Sequence, residues 1–340
     1  MERVQLQPGD LIFGEYEVLD LAGVGATSHV YRCTSERFGG QVAVKVLHDD
    51  LVGHPRHRRR FLREAHLMRG MEHPSIVKVL DIISTPTVLA YVMEHVEGLS
   101  LKEWLQDRAA GMDPMVMVLF LDVLAGLAHA HERGIVHRDL KPGNILVEMT
   151  PSRPRGRIID FGVARLVRLP PEPDDFNSIR GTAAYISPDE IRSPLEVCPQ
   201  SDLYSLGVIL YEATAGVRPF EGRPGKALLC AHLNESPPSP ALHTATISPG
   251  VESLIMTLLS KSPDDRVPSA QALGDALREA LDDPDFGAAL EALSADEDTP
   301  IEWVAALQLI LVNILTALLS PGLTGRADDP HYLNRPPMMI

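Results

Sequence analysis

The sequence predicts an α+β chain in two lobes, a small antiparallel sheet of five strands with one helix followed by a helical lobe. Five short runs rich in Val, Ile and Tyr recur at 16–21, 30–33, 42–46, 77–83 and 88–93, with the length and composition of strands. One helical pattern interrupts them, with Phe61, Ala65 and Met68 spaced around the charged Arg63 and Glu64. Beyond Gly98 the periodicity becomes helical.

The helical segments carry their own start and stop signals. Ser100 and Glu103 stand at capping-box spacing ahead of Trp104 and Leu105. Asp113-Pro114 offers an N-cap and a first-turn proline to a long apolar helix that Gly134 stops. Further helices are expected at 202–215, closed by Gly216, and at 251–260 and 270–281. The lobes meet near 94–98, and a cleft between lobes is a common place for a small-molecule site. Proline-rich breaks fall at 168–173 and 236–240, and acids cluster at 282–285 and 296–298 before a final apolar stretch.

Composition bounds the function. The chain has 340 residues, 45% of them hydrophobic, so a packed core is expected. Forty-six acids against 31 bases give a net charge of −15, which argues against bulk nucleic-acid binding. Cys33, Cys198 and Cys230 are odd in number and fit no metal or disulfide spacing, so a reducing compartment is expected. The first residues lack the apolar core of a signal peptide, which predicts a cytoplasmic catalytic segment.

Four motifs carry chemistry. The segment Ala22-Gly23-Val24-Gly25-Ala26-Thr27-Ser28-His29-Val30 lies between two strands. Its small residues would let backbone amides close over phosphates, although a Gly-x-Gly turn is more often a plain hairpin. In Val42-Ala43-Val44-Lys45 a lysine sits in an apolar strand. Either it snorkels at an edge, or it grips phosphates while paired with a carboxylate, for which Glu64 is the candidate. The third motif, His137-Arg138-Asp139-Leu140-Lys141-Pro142-Gly143-Asn144, places ionic and polar groups between apolar runs. Asp139 can accept the proton of a hydroxyl, Lys141 can neutralise a phosphoryl group, and Asn144 can offer an oxygen to a hard cation. The fourth, Ile158-Ile159-Asp160-Phe161-Gly162, ends an apolar strand in a carboxylate suited to the same cation.

These motifs, with Ser187-Pro188-Asp189 after them and in this order, resemble the eukaryotic-like Ser/Thr protein kinases of bacterial type. The resemblance runs from about Tyr16 to Leu281. It implies the bilobal protein kinase fold over 16–281, with an N-lobe at 16–93, a hinge at 94–98 and a C-lobe at 99–281. It implies ATP and Mg2+, with Mn2+ as an alternative, and Ser or Thr hydroxyls of proteins as acceptors. By resemblance Lys45 pairs with Glu64, Asp139 is the base, Lys141 assists it, and Asn144 and Asp160 hold the metal. Met93 stands at the gatekeeper position, the backbone of Glu94 and Val96 bonds adenine, and Leu146 lies under the ring with Val30 and Ala43 above. Lys141 and Thr182 point to Ser/Thr rather than Tyr specificity. Arg266 resembles the arginine that pairs with the acid of the Pro-Glu element. That acid is Asp189, one methylene short of the usual Glu, so a strained or shifted pair is expected. Ser28 likewise replaces the usual third glycine.

Regulation is read from Arg138, which in such kinases receives a phosphorylated activation segment. Ser178 is the only hydroxyl residue between Gly162 and Gly181. It is the autophosphorylation candidate, against the alternative that Asp174-Asp175 already supply the charge. The run Arg56-His57-Arg58-Arg59-Arg60 reads as a solvated helix entry just ahead of the Glu64 helix. The 147–157 connection reads as a surface loop. After an acidic linker at 282–300, residues 301–320 are apolar and precede a short tail at 321–340. A membrane anchor and a helix packed on protein are equally compatible with that stretch. A pseudokinase is disfavoured because Lys45, Asp139, Asn144 and Asp160 are all present, and a small-molecule kinase because the Pro-Glu element and its Thr are present.

Overall fold

The computed structural model describes residues 5–106, 111, 113–161, 165–166, 183–194, 196, 198–244 and 246–281. The apolar stretch 301–320, the acidic linker and tail, Ser178 and Thr182 lie outside the described residues.

The N-terminal lobe holds a six-stranded sheet: β1 (Leu11–Ile12), β2 (Tyr16–Val24), β3 (Ser28–Ser35), β4 (Gly40–Leu47), β5 (Val79–Ser84) and β6 (Leu89–Glu94). The order is β1-β2-β3-β4-β6-β5, antiparallel throughout. The sixth strand, β1, corrects the expected five. Two residues are too few for alternation to show in sequence. Two helices, α1 (Asp49–Val52) and α2 (Pro55–Arg69), follow β4.

Period-two alternation splits the sheet into two faces. Val42 and Val44 of β4 pack with Tyr16, Val18, Tyr31, Cys33, Ala90 and Val92 in one cluster. Ala43 and Lys45 face the other way. Register places Lys45 opposite Val30 on one side and Tyr91 on the other, and Ala43 opposite Met93. Four expected nucleotide-facing residues thus share one face by pairing alone. Helix α2 covers that face with Phe61, Glu64, Ala65 and Met68 buried, the i, i+3, i+4, i+7 stripe of a core-facing helix. Glu64 lies on this inward stripe. The basic run 56–60 corrects its expected place: it lies inside α2, not ahead of it, because Pro55 is a suitable first-turn residue.

The second lobe contains β7 (Gly98–Ser100), α3 (Leu101–Gln106), α4 (Pro114–Glu132), β8 (Ile135–Val136), β9 (Ile145–Met149), β10 (Pro154–Ile158), β11 (Arg165–Leu166), α5 (Pro188–Arg192), α6 (Pro199–Ala215), α7 (Gly225–Asn234), α8 (Pro249–Leu258) and α9 (Ala270–Ala280). The capping signals act as expected. Ser100 and Glu103 exchange hydrogen bonds, with the Glu103 carboxylate accepting from the Ser100 N–H at 2.9 Å. Asp113 accepts from the Met115 N–H at 2.8 Å. Gly216 closes α6 in the left-handed region, at φ 72°. Helix α4 is apolar and long enough to cross a membrane by composition, yet most of it is buried in the core of this lobe.

The 147–157 connection is a β-hairpin, not a plain surface loop. Strands β9 and β10 pair antiparallel, and Arg153 in their turn forks onto the Asp122 carboxylate of α4 at 2.6 and 2.8 Å. Strand β7 adds to β9 at the foot of the interlobe connection. Gly98 is required there: a Cβ would lie 2.0 Å from the Val147 carbonyl oxygen.

Candidate active site

Two clusters of polar groups meet at the lobe junction. In the first, the Lys45 ammonium donates to Glu64 Oε1 at 2.6 Å and to Asp160 Oδ2 at 3.2 Å. Tyr91, across from Lys45 in the sheet, donates its hydroxyl to the same Glu64 oxygen. Its ring lies 5.6 Å from the ammonium and packs on Phe61. Burial disfavours the charged lysine, but Asp160 and Glu64 outweigh it and hold its pKa well above the ordinary value. Burial also opposes ionisation of Asp160, yet Lys45 holds its carboxyl below the usual range. Glu64 is pushed up by burial, against the pull of Lys45. One ammonium thus serves two carboxylates and keeps Asp160 the more firmly ionised.

In the second cluster, Lys141 Nζ donates to Asp139 Oδ2 at 2.6 Å. The Asn144 amide nitrogen donates to the Asp139 carbonyl at 2.8 Å and to its Oδ2 at 3.2 Å. Among the described residues, the Asn144 amide bonds run through Nδ2, so Oδ1 is the atom suited to a cation. Backbone links join the clusters: the Ile159 N–H donates to the Asn144 carbonyl at 3.1 Å, one residue before Asp160.

The loop carrying Asp139 is anchored from below. The buried Asp202 carboxylate of α6 accepts from the N–H groups of His137 and Arg138, both at 2.9 Å. His131 of α4 stands 2.8 Å from Asp202 Oδ2. Burial opposes its charge, but His131 and the loop hold the Asp202 pKa below the ordinary value. These bonds sustain Arg138 at φ 69°, a conformation costing an L-residue about 1–3 kcal/mol. The His137 ring is fully buried and packs at 4.5 Å on Phe161. The Arg138 guanidinium stands 3.6 Å from Glu190 and donates to the Pro194 carbonyl at 3.0 Å.

The remaining described positions lie on β2 to β4, β6 and the connection after it, β9 and α5. Gly25 closes the β2–β3 turn, its N–H donating to the Ser28 carbonyl at 2.8 Å. Ser28 is buried at the start of β3, while Ala22, Val24, Gly25, Ala26 and Thr27 are exposed, and Gly23 and His29 half-buried. Val30, Ala43 and Val96 are half-buried against the main core, Met93 is buried, and Leu146 is half-buried on β9. Glu94 ends β6. Asp189, expected to pair poorly, accepts a fork from Arg266 at 2.6 and 3.1 Å. It also accepts from the Ser201 hydroxyl at 2.5 Å. Helix α5 brings its N-terminal acid close enough that the shorter side chain suffices.

The protein kinase domain family matches residues 16–277. The chain belongs to the protein kinase family. Bacterial Ser/Thr kinases are among its relatives. This kinase is 38% identical over 285 residues to the serine/threonine-protein kinase pkn2 of Myxococcus xanthus, covering 81% of the chain and 34% of the relative. It is 31% identical over 274 residues to PrkC of Bacillus subtilis, covering 81% of the chain and 42% of the relative. The chain thus spans a third to two-fifths of the length of these relatives. Among solved structures, the kinase domain of Mycobacterium tuberculosis PknI superposes with a TM-score of 0.62 at 26% identity. That match covers 81% of the chain and 100% of the PknI domain.

Sequence reasoning missed Tyr91, His131 and Arg157 at this site. Tyr91 had a signal: a polar tip in the otherwise apolar run of β6, at the expected cross-strand distance from Lys45. The contacts of His131 and Arg157 span 71 and 63 residues to Asp202 and Glu94 and leave no local pattern.

Proposed function

We propose that the protein is an active Ser/Thr protein kinase that moves the γ-phosphoryl group of ATP onto protein hydroxyls. The observation that carries this reading is the convergence of Lys45, Glu64 and Asp160 with Asp139, Lys141 and Asn144 at one interlobe junction. Bound Mg2+, or Mn2+ in its place, would neutralise charge on the phosphate oxygens. Asn144 Oδ1 and Asp160 would hold it. Lys45, fixed by Glu64, binds α- and β-phosphate oxygens. The small residues of 22–30 close over the phosphates, and the hinge backbone of Glu94 and Val96 orients adenine between Leu146 below and Val30 and Ala43 above. Asp139 accepts the proton of the incoming hydroxyl, and Lys141 balances charge as the phosphoryl group arrives. Thr182 is the residue that, by resemblance, favours Ser/Thr over Tyr acceptors, and Met93 limits the depth of the adenine pocket. The catalytic segment is cytoplasmic, and the apolar composition of 301–320 suits either a membrane anchor or a helix packed on protein.

Ser178 is the proposed autophosphorylation site and Arg138 its receiver, a role supported by a guanidinium that reaches from the catalytic loop to the Pro194 carbonyl and toward Glu190. Incubation of the full chain with ATP, Mg2+ and a generic protein substrate, followed by phosphoamino-acid analysis and mass spectrometry, tests both points. Phosphoserine and phosphothreonine are expected, with Ser178 modified. Phosphotyrosine alone would contradict the specificity, and active enzyme with unmodified Ser178 would contradict the regulatory site.

A further inference from the structure

Arg157 is buried between the lobes, on the strand that leads to Asp160. Its guanidinium reaches three separate elements. One terminal nitrogen donates to the Ile76 carbonyl at 3.2 Å and to the Glu94 carboxylate. The other faces both carboxylate oxygens of Glu148 at 3.4 Å. Glu94 is the first residue of the interlobe connection, and its Oε1 also accepts from the Lys78 N–H at 2.7 Å. The backbone beside Arg157 is fastened as well: the Ile158 N–H donates to the Ser75 carbonyl and the Val77 N–H to the Ile158 carbonyl, each at 2.9 Å.

A buried guanidinium requires acceptors, and its planar fork satisfies several at once where an ammonium acts as a point charge. Glu94 needs no such partner on stability grounds, because a third of its side chain is open to water. The consequence of the pairing is positional. With its carboxylate held by Arg157 and by the Lys78 N–H, and its own N–H donating to the Lys78 carbonyl at 3.0 Å, Glu94 has little freedom to rotate. These bonds tether the Cα from which the peptide toward His95 departs.

We propose that Arg157 is a positioning residue for the nucleotide base. It touches no part of the nucleotide, but through Glu94 it sets the direction of the hinge carbonyl and amide that meet adenine. The proposal rests on the reading that the backbone of Glu94 and Val96 binds the base. It separates two halves of ATP affinity, because the hinge serves the adenosine end and Lys45 serves the phosphate end.

The test measures adenosine and inorganic tripolyphosphate binding to the full chain, for wild type, Arg157→Lys and Glu94→Gln, with thermal melting alongside. Arg157→Lys keeps the charge and loses the fork, and Glu94→Gln keeps the shape and loses the charge. Adenosine affinity should fall about tenfold in each, with tripolyphosphate affinity within about twofold of wild type. The double variant should lose no more than either single one, since both remove the same contact. Unchanged or tighter adenosine binding, or equal weakening of both ligands, overturns the proposal. A wild-type chain that binds tripolyphosphate but not adenosine refutes the hinge reading itself, and the proposal with it.

Discussion

Lys45 is held by two acids of different character, and their difference makes a prediction at the scale of single residues. Glu64 is raised by burial, while the Tyr91 hydroxyl bond favours its charged form. The Lys45–Glu64 pair forms only when Glu64 is ionised, so activity should fall on the acid side above the ordinary carboxylate range. Removing the Tyr91 hydroxyl removes a bond to the carboxylate and raises Glu64 further. In Tyr91→Phe the acid limb of the kcat/KM profile for ATP should therefore move to higher pH, by up to about one unit. A limb that stays in place or moves down would show that Glu64 does not govern it. Lys45 and the 139–144 loop were legible in the sequence because the unusual residues are adjacent in the chain. The partners that tune them were not. Tyr91 meets Glu64 across 27 residues, and His131 meets Asp202 across 71, separations at which no periodicity connects side chains.

The elements that carry the site depend on fixed ends. Asp189 at the start of α5 is gripped by Arg266, whose guanidinium also donates to the Ser260 and Gln200 carbonyls at 2.9 and 2.8 Å. The Tyr204 ring lies 5.0 Å from it. The fully buried Arg266 side chain and its bonds hold α5, α6 and the segment before α9 together. Arg266→Met should lower unfolding free energy by about 3–5 kcal/mol, because it leaves a buried carboxylate with no cation. Urea unfolding of the full chain measures this, and a loss below about 1 kcal/mol would mean the pair contributes little. Helices α3 and α4 were readable from their side-chain caps, Ser100 with Glu103 and Asp113-Pro114. Helix α7 was not, since its N-cap is Pro224 with no side-chain cap. Strands β7 and β9 were missed as a sheet because three residues, 98–100, show no alternation and their pairing partner lies some 50 residues away.

For the whole molecule, burial of histidines couples folding to pH. His232 is buried beside Tyr204, Phe220 and Lys261, and burial, then the Lys261 charge, push its pKa down to about 4. The unfolded chain has its histidine near 6.5 and so binds more protons between these values. Stability from this site is therefore fully present above about pH 6.5 and is lost as pH falls toward about 4, by as much as about 3 kcal/mol. His73 and His137, also lowered mainly by burial, act in the same direction. His232→Gln should flatten the fall in melting temperature between pH 7 and pH 4. An unchanged slope would show that His232 is not among the groups responsible.

The proposed function rests on one centre, in which Asp139 would meet the acceptor hydroxyl while Lys45 and Asp160 would hold the nucleotide. The most direct measurement is the rate of γ-phosphoryl transfer from labelled ATP to protein, for wild type and Asp139→Asn, beside ATP binding by each. Wild type should transfer, and the variant should bind ATP within a few-fold of wild type while its transfer rate falls about a thousandfold. Transfer by the variant at the wild-type rate, or ATP bound by wild type with no transfer to any hydroxyl, would contradict the assignment of this chain as a working kinase.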